Sequence, residues 1–113
     1  MTPVIEPNIF NGLKQMVGAD FIGELIVTFL EDAPHMLEEL RASLAANDAE
    51  TFKRAAHSLK TNAATFGATE LAELAKALEM LGRINNLNEV GDLLQIVEDA
   101  YALAAAELKG LRS

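Results

Sequence analysis

His57 lies in a stretch of sequence whose charge balance differs from that of the rest of the chain. The 113 residues carry a formal net charge of −8, yet residues 51–69 contain three cations, Lys53, Arg54 and Lys60, and no acidic residue. A neutral imidazole is a nucleophile, and neighbouring cations attract anions and stabilise the charge of an incoming phosphoryl group. The pattern therefore suits phosphoryl transfer to His57.

The helical pattern around His57 predicts that its side chain faces solvent. At about 100° per residue, His57 falls about 140° from Phe52, well away from the apolar side of its helix, and Ala64 lies in line with it. Lys60, three residues later, and Lys53, four residues earlier, are spaced to reach an anion on the imidazole. The apolar stripe opposite consists of Phe52, Ala56, Leu59, Ala63 and Phe66.

The elements that must position this site begin with two helices in the first part of the chain. Residues 1–7 hold two prolines and indicate an extended arm. A short helix over about residues 8–16 follows, and Gly18 ends it. Asp20 is a plausible cap for a second, long helix. Pro34 lies inside that helix and predicts a kink rather than a break.

Three further helices are predicted in the rest of the chain. Gly67 stops the third helix, which carries His57. The expected capping residues are Asn47 with Glu50 for the third helix, Thr69 for the fourth, and Asn86 with Glu89 after the loop that precedes the fifth. The predicted buried stripe of the fourth helix is Leu71, Leu74, Leu78 and Leu81.

No segment shows the alternation of apolar and polar residues that is typical of a strand. Four long amphipathic helices with short connections predict an all-α fold, an antiparallel four-helix bundle with a short additional N-terminal helix. We expect residues 8–113 to form this bundle as one domain after the arm at 1–7.

Composition excludes several classes of function. The chain has no cysteine, so it has neither a disulfide framework nor a thiolate metal site. Its acidic balance argues against general nucleic-acid binding. It opens with no signal peptide, and its most apolar stretch is too short to span a bilayer. We therefore expect a cytoplasmic monomer with no membrane or nucleic-acid partner.

Other uses of His57 compete with phosphotransfer. A general base needs a carboxylate or nucleophile beside it, and no acid lies within a helical turn of His57. A metal site would need further ligands, and His35 with Glu31 is better explained as a solvated helix face. Spacing alone favours a surface histidine without chemistry, and a helical adaptor is the function that would go with it.

Residues 56–71, A-H-S-L-K-T-N-A-A-T-F-G-A-T-E-L, resemble the signature of histidine-containing phosphotransfer (HPt) domains, A-H-x-L-K-G-x-A-x-x-x-G-A-x-x-L. The pair Leu78-Glu79 matches the L-E pair that follows this signature on the next helix. The stretch 29–34 is similar to the second helix of that family. The resemblance covers about residues 8–110.

The resemblance implies that His57 is phosphorylated on Nε2 and that Lys60 steadies the phosphate. Ala64 and Gly67 would leave room for an approaching partner, and Arg54 would be part of the neighbouring surface. Thr61 stands where the family usually has Gly, so its hydroxyl could bind the phosphate or its bulk could narrow the choice of partner.

The family shuttles phosphoryl groups between receiver-domain aspartates in two-component phosphorelays. The resemblance therefore implies response-regulator receivers and hybrid histidine kinases as partners. It also implies a phosphocarrier that binds no ATP and needs no cofactor of its own, because the Mg²⁺ belongs to the receiver. The alternative is an adaptor that binds receivers without phosphotransfer.

Overall fold

The computed structural model describes residues 3–112, which contain five α-helices and no strand. The predicted all-α class is thus confirmed. Met1, Thr2 and Ser113, the outer ends of the predicted arm and of the predicted domain, lie outside the described residues. The helices are α1 (Pro7–Val17), α2 (Ala19–Ala45), α3 (Ala49–Phe66), α4 (Thr69–Arg83) and α5 (Leu93–Arg112), with a 3₁₀ turn at Leu87–Glu89.

Helices α2 to α5 form the antiparallel four-helix bundle. Helix α3 packs against α2 and α4, α5 packs against the same two helices, and α1 lies across α2 and α3. Helix α2 continues through Pro34 without the break that a proline can cause, and the kink expected there stays a prediction. The largest fully buried side chains come from all four bundle helices and are Ile26, Leu40, Phe52, Leu59, Leu71, Leu78, Val97 and Leu108.

The helix starts differ from the predicted capping residues. Helix α2 begins directly after Gly18, which places Asp20 inside its first turn. The cap of α3 is Asp48, whose carboxylate accepts from the Thr51 backbone N–H at 3.2 Å. Asn47 instead adopts a left-handed conformation (φ 55°) in the preceding turn. The short α2–α3 connection needs such a residue, and asparagine tolerates it better than most.

The later caps also differ. Helix α4 is preceded by Ala68, and Thr69 is its first residue. Asn86 makes no side-chain capping hydrogen bond, and α5 begins only at Leu93. Gly91, in a left-handed conformation (φ 49°), separates the 3₁₀ turn from α5. The segment that resembles a capping box in the sequence is therefore a short 3₁₀ turn rather than the start of α5.

Helix α4 approaches α3 closely through small residues. A Cβ added at Gly82 would lie 3.0 Å from the Cβ of Lys53 and 3.1 Å from its Cα, so the two backbones nearly touch. The predicted leucine stripe was wrong in part, because Leu74 and Leu81 are only half-buried. The buried face is rotated toward α3 and comprises Leu71, Ala72, Ala75, Leu78, Glu79 and Gly82.

None of the helices between residues 3 and 112 combines the length and the apolar character that a membrane crossing requires.

Candidate functional site

His57 projects outward from the middle of α3. Its side chain is 58% exposed, whereas its neighbours Ala56 and Leu59 are fully buried. All members of the predicted apolar stripe of α3 are buried, which fixes the rotation of the helix and turns His57 to solvent. The imidazole is therefore presented to a partner while its helix is anchored in the core.

Glu79 of α4 supplies a carboxylate to the site. Its side chain is only 5% exposed, and its Oε2 accepts a hydrogen bond from His57 Nδ1 at 2.8 Å. Lys60 Nζ donates to Oε1 at 2.7 Å, and Arg83 Nη2 donates to Oε2 at 3.2 Å. One buried carboxylate thus holds the imidazole and two cations together.

The carboxylate selects the tautomer of His57. An ionised carboxylate only accepts hydrogen bonds, so the proton of the neutral imidazole must be on Nδ1. Nε2 then carries the free lone pair, and it has no hydrogen-bond partner within residues 3–112. A histidine held in this way has one nitrogen fixed by a carboxylate and the other available as a nucleophile.

The local charges favour an anion at the imidazole. The hydrogen bond from Lys60 lowers the pKa of the Glu79 carboxyl below its ordinary value; burial raises it, and the hydrogen bond from His57 lowers it further. Glu79 is therefore ionised at neutral pH. With Lys60 and Arg83 both cationic and Glu79 ionised, these three side chains beside the imidazole sum to one positive charge.

The close approach of α3 and α4 sets the distance between His57 and Glu79. Lys53, one turn before His57, lies against Gly82, which follows Glu79 by three residues. Because the helices are antiparallel, one turn beyond this contact brings His57 of α3 opposite Glu79 of α4. A larger residue than glycine at position 82 would push the helices apart.

The two lysines predicted to support a phosphate have different surroundings. Lys60 contacts Glu79, which His57 also contacts. Lys53 instead pairs with Glu50 at 3.2 Å, one turn earlier on α3 and on the side away from His57. The structure thus brings Lys60 into the cluster and leaves Lys53 outside it.

The remaining predicted neighbours of His57 on α3 are Thr61, Ala64 and Arg54, and none of them forms a hydrogen bond or ion pair with the imidazole among residues 3–112. Thr61 is exposed, but its hydroxyl donates to the His57 backbone carbonyl at 3.0 Å, so in this rotamer the proton is already used. Ala64 is exposed and keeps the surface low. Arg54 approaches Glu50 at 3.9 Å and lines a groove between α3 and α2, together with Asp32, His35, Glu39 and Ser58.

Gly67 does not form part of the open surface, and that expectation was wrong. It is buried at the end of α3 with φ 86°, and its carbonyl accepts from the Glu6 backbone N–H at 2.8 Å. A Cβ there would lie 3.0 Å from the Glu6 carbonyl oxygen and 3.2 Å from the Cβ of Ile9. The glycine is needed to end the helix beneath the N-terminal segment, not to admit a partner.

Glu79 and Arg83 were not recognised as site residues in the sequence. The sequence indicated that no acid lies close to His57. That was wrong, because Glu79 reaches His57 from another helix. The available signal was a glutamate beside the apolar stripe of α4, within the Leu78-Glu79 pair. No group of three or more His, Asp or Glu side chains suited to a metal occurs among residues 3–112.

Comparison with protein families matches residues 24–110 to the model described as the Hpt domain. The crystal structure of histidine-containing phosphotransfer protein B (HptB) from Pseudomonas aeruginosa PAO1 superposes with a TM-score of 0.91 at 28% identity. The likeness covers 99% of this chain and 96% of that one.

Two curated proteins are also similar. The phosphorelay protein LuxU of Vibrio harveyi is 30% identical over 107 residues, which cover 88% of this chain and 94% of LuxU. The sensor protein TorS of Escherichia coli (strain K12) is 35% identical over 65 residues, 58% of this chain but only 7% of TorS.

Proposed function

Since the chain belongs to the Hpt domain family and its function is histidine phosphotransfer in a two-component phosphorelay, we propose that His57 is the residue that carries the phosphoryl group. The observation that supports this choice is the hydrogen bond from His57 Nδ1 to the buried Glu79 carboxylate at 2.8 Å. It leaves Nε2 exposed and nucleophilic. His35, the other histidine, has no such partner among the described residues.

In the forward step, Nε2 of His57 attacks the phosphorus of a receiver aspartyl phosphate. The N–P bond forms, the P–O bond to the aspartate breaks, and the aspartate leaves as a carboxylate. The imidazole keeps its Nδ1 proton, so the phosphorylated ring is formally cationic. Glu79 stabilises that charge through the hydrogen bond already present, in the manner of a carboxylate that supports a histidine base.

The same hydrogen bond assists the return step. When a second receiver aspartate attacks the phosphorus, a ring that is protonated on Nδ1 leaves as neutral imidazole. A ring without that proton would have to leave as an anion, which is a far poorer leaving group. Glu79 therefore serves transfer in both directions by keeping the proton on Nδ1.

Lys60 is proposed to contact the phosphoryl oxygens. Its ammonium is 2.7 Å from Glu79 Oε1 and its side chain is 29% exposed, so it lies at the edge between core and solvent beside His57. A cation held there before transfer stabilises the charge on the phosphoryl group without a large rearrangement. Thr61 is proposed to affect the fit of the receiver rather than to bind the phosphate.

The proposed partners are receiver domains of response regulators and of hybrid kinases. The names of LuxU, a phosphorelay protein, and TorS, a sensor protein, support partners of this kind. The groove between α2 and α3 beside His57, with Arg54 on one wall, is part of the proposed docking surface. We further propose a cytoplasmic monomer that acts as a phosphocarrier without a cofactor of its own, the Mg²⁺ being bound by the receiver.

Phosphotransfer from a labelled receiver tests the assignment. Incubated with a ³²P-phosphorylated receiver and Mg²⁺, the chain should acquire a label that is acid-labile and base-stable. His57→Gln should abolish labelling and retain the helical circular dichroism, because the side chain is mostly exposed. His35→Gln, the matched control, should still acquire the label, because the substitution leaves His57 in place.

Two results would contradict the proposal. Labelling that persists in His57→Gln would place the phosphoryl group elsewhere. A chain that binds the phosphorylated receiver without ever acquiring the label would instead be the adaptor that the sequence leaves as an alternative.

A further inference from the structure

Helix α5 carries a second line of apolar residues beside the face that it buries. Ile96, Ala100 and Leu103 follow one another at spacings of four and three residues, which places them on one side of the helix. Ile96 is 48% exposed and Leu103 is 62% exposed. Val97 and Ala104, on the neighbouring face, are buried in the core. The bundle therefore leaves the second line uncovered.

A groove lies between this line and α4, with a volume of about 200 Å³. Leu74 of α4 lines it and is only half-buried, although the helical pattern predicts it as a core residue. Val4 of the N-terminal segment also lines it. That segment is held in place two residues later, where the Glu6 backbone N–H donates to the Gly67 carbonyl at 2.8 Å. The groove is therefore formed before any partner binds.

The groove combines this apolar floor with two acidic residues. Glu70 of α4 and Asp99 of α5 line it, and no lysine or arginine between residues 3 and 112 does. Asp99 accepts a hydrogen bond from Gln95 Nε2 at 3.0 Å, but this donor is neutral. Neither carboxylate has an ion-pair partner in the described part of the chain, whereas the neighbouring Glu98 pairs with Arg41. The negative charge at the groove is therefore uncompensated.

This charge distinguishes between the possible occupants. A second copy that docked through the same groove would bring Glu70 and Asp99 against their own counterparts, and each chain carries a net charge of −8. The anionic surface of a membrane would be repelled for the same reason. An amphipathic helix with an apolar face and cationic flanks complements both features of the groove, because helices dock into such grooves through apolar anchors three, four and seven residues apart.

We infer that the groove between α4 and α5 binds a cationic amphipathic helix of a partner protein. The apolar face of that helix covers Ile96, Ala100 and Leu103. Its lysines or arginines pair with Glu70 and Asp99.

This site lies away from the phosphotransfer site. Helices α3 and α5 each pack against α2 and α4, so they are diagonal in the bundle. The α4–α5 groove is therefore on the opposite side from the α2–α3 groove beside His57. A partner held there leaves His57 accessible to a receiver, and the inference goes beyond the proposed function because no phosphoryl group takes part in the binding.

Binding of a synthetic peptide tests the inference. The probe is a fluorescently labelled helical peptide of about 18 residues, with leucines along one face and lysines on both sides of that face. One comparison peptide has glutamate in place of every lysine. A second has the same residues as the probe in an order that gives no apolar helical face. Fluorescence anisotropy gives the Kd of each peptide for the intact chain.

Two pairs of variants locate the binding. Leu103→Ser removes an apolar contact, and Ile84→Ser is its matched control, because Ile84 is 61% exposed but does not line the groove. Glu70→Gln removes a charge, and its control is Glu73→Gln, an exposed acid of the same helix outside the groove. Circular dichroism checks that all four variants are folded.

We expect the lysine peptide to bind more tightly than both comparison peptides. Leu103→Ser should raise its Kd by about tenfold, as the loss of a buried leucine contact predicts. Glu70→Gln should raise it by about twofold to fivefold, and this effect should shrink as the salt concentration rises from about 0.05 M to 0.5 M. Each control should stay within about twofold of the wild type.

Several results would overturn the inference. They are absence of binding by the lysine peptide, equal binding by either comparison peptide, and equal weakening by Leu103→Ser and Ile84→Ser. Self-association in sedimentation experiments that Leu103→Ser abolishes would assign the groove to a second copy and would overturn it as well.

Discussion

Helix α3 carries two clusters of cations and acids, and they differ in where the acid lies. Near the start of the helix, Lys53 and Arg54 pair with Glu50, which is on the same helix and 63% exposed. Near its middle, Lys60 pairs with Glu79, which comes from α4 and is 5% exposed. The two lysines have similar exposure, 32% and 29%.

The difference shows that the burial of the acid, not the type of the cation, determines what a cluster can do. An exposed glutamate is hydrated and screened, and its ion pairs contribute about 0–1 kcal/mol. A buried carboxylate is shielded from bulk water, so its oxygens must accept their hydrogen bonds from the surrounding side chains. Glu79 therefore fixes a histidine tautomer, whereas Glu50 only pairs with cations that water already solvates.

The largest difference between the two clusters should appear when Glu79 and Glu50 are each replaced by glutamine. Glu79→Gln should lower the free energy of unfolding by about 1–3 kcal/mol, because it takes the charge from three donors at a buried site. Glu50→Gln should change it by less than about 0.5 kcal/mol. Urea denaturation followed by circular dichroism measures both.

The same pair of variants should differ in function. Glu79→Gln should slow phosphotransfer from a receiver by about tenfold to a hundredfold, the range found when a metal-ligating histidine loses the group that orients it. Glu50→Gln should transfer at the wild-type rate. Similar losses in both variants would mean that overall charge, and not burial, governs the site.

The two lysines provide the next contrast. Lys60→Ala should slow transfer or shorten the phosphohistidine lifetime by about tenfold, because it removes a cation held beside the imidazole. Lys53→Ala keeps the Cβ that lies against Gly82 and should leave both quantities unchanged. Receiver-dependent labelling and the decay of the label give the two measurements. A Lys60→Ala protein that behaves like the wild type would refute the role of this lysine.

The smallest effect is the pH dependence of stability. The pKa of Glu79 is lowered in the folded protein, chiefly by Lys60. The unfolded chain therefore binds its proton more readily, and the stabilisation by Glu79 is present above the ordinary value of 4.5 and lost as the pH falls below it. In a His57→Gln background, which removes the imidazole titration, the loss of stability caused by Glu79→Gln should be constant from about pH 7 to pH 5 and shrink below that.

Unfolding free energies of His57→Gln and of the double variant His57→Gln/Glu79→Gln, measured across this range, check the expectation. A difference between the two free energies that grows as the pH falls would mean that the pKa of Glu79 is raised. That result would contradict the lowering of this pKa by Lys60.

Much of the fold was predictable from the sequence because apolar periodicity decides which helix face is buried. The helical wheel of α3 predicts the outward direction of His57 correctly, since Phe52 and Phe66 mark the core side without ambiguity. The family signature then identifies the class of function. These predictions depend on one helix at a time, for which sequence spacing is sufficient.

The rest of the site depends on how two helices meet. On α4 the large leucines indicate one face, but Gly82 allows the backbone of α3 to come closer on another. Glu79 is buried on that second face. The contact between His57 and Glu79 joins residues 22 positions apart, which spacing within a helix cannot reveal. The burial of Gly67 beneath Glu6 was not predictable for the same reason.

The close packing of α3 and α4 also separates the reactive residues from the groove that is proposed to bind the receiver. His57, Lys60, Glu79 and Arg83 all belong to one helical hairpin, residues 49–83, whose spacing is set by main-chain contact at Gly82. Helix α2 contributes only to the groove at its side, and α5 packs against α4 and α2. Substitutions on α2 that alter the proposed docking groove are therefore expected to change receiver binding while the hairpin keeps its reactivity.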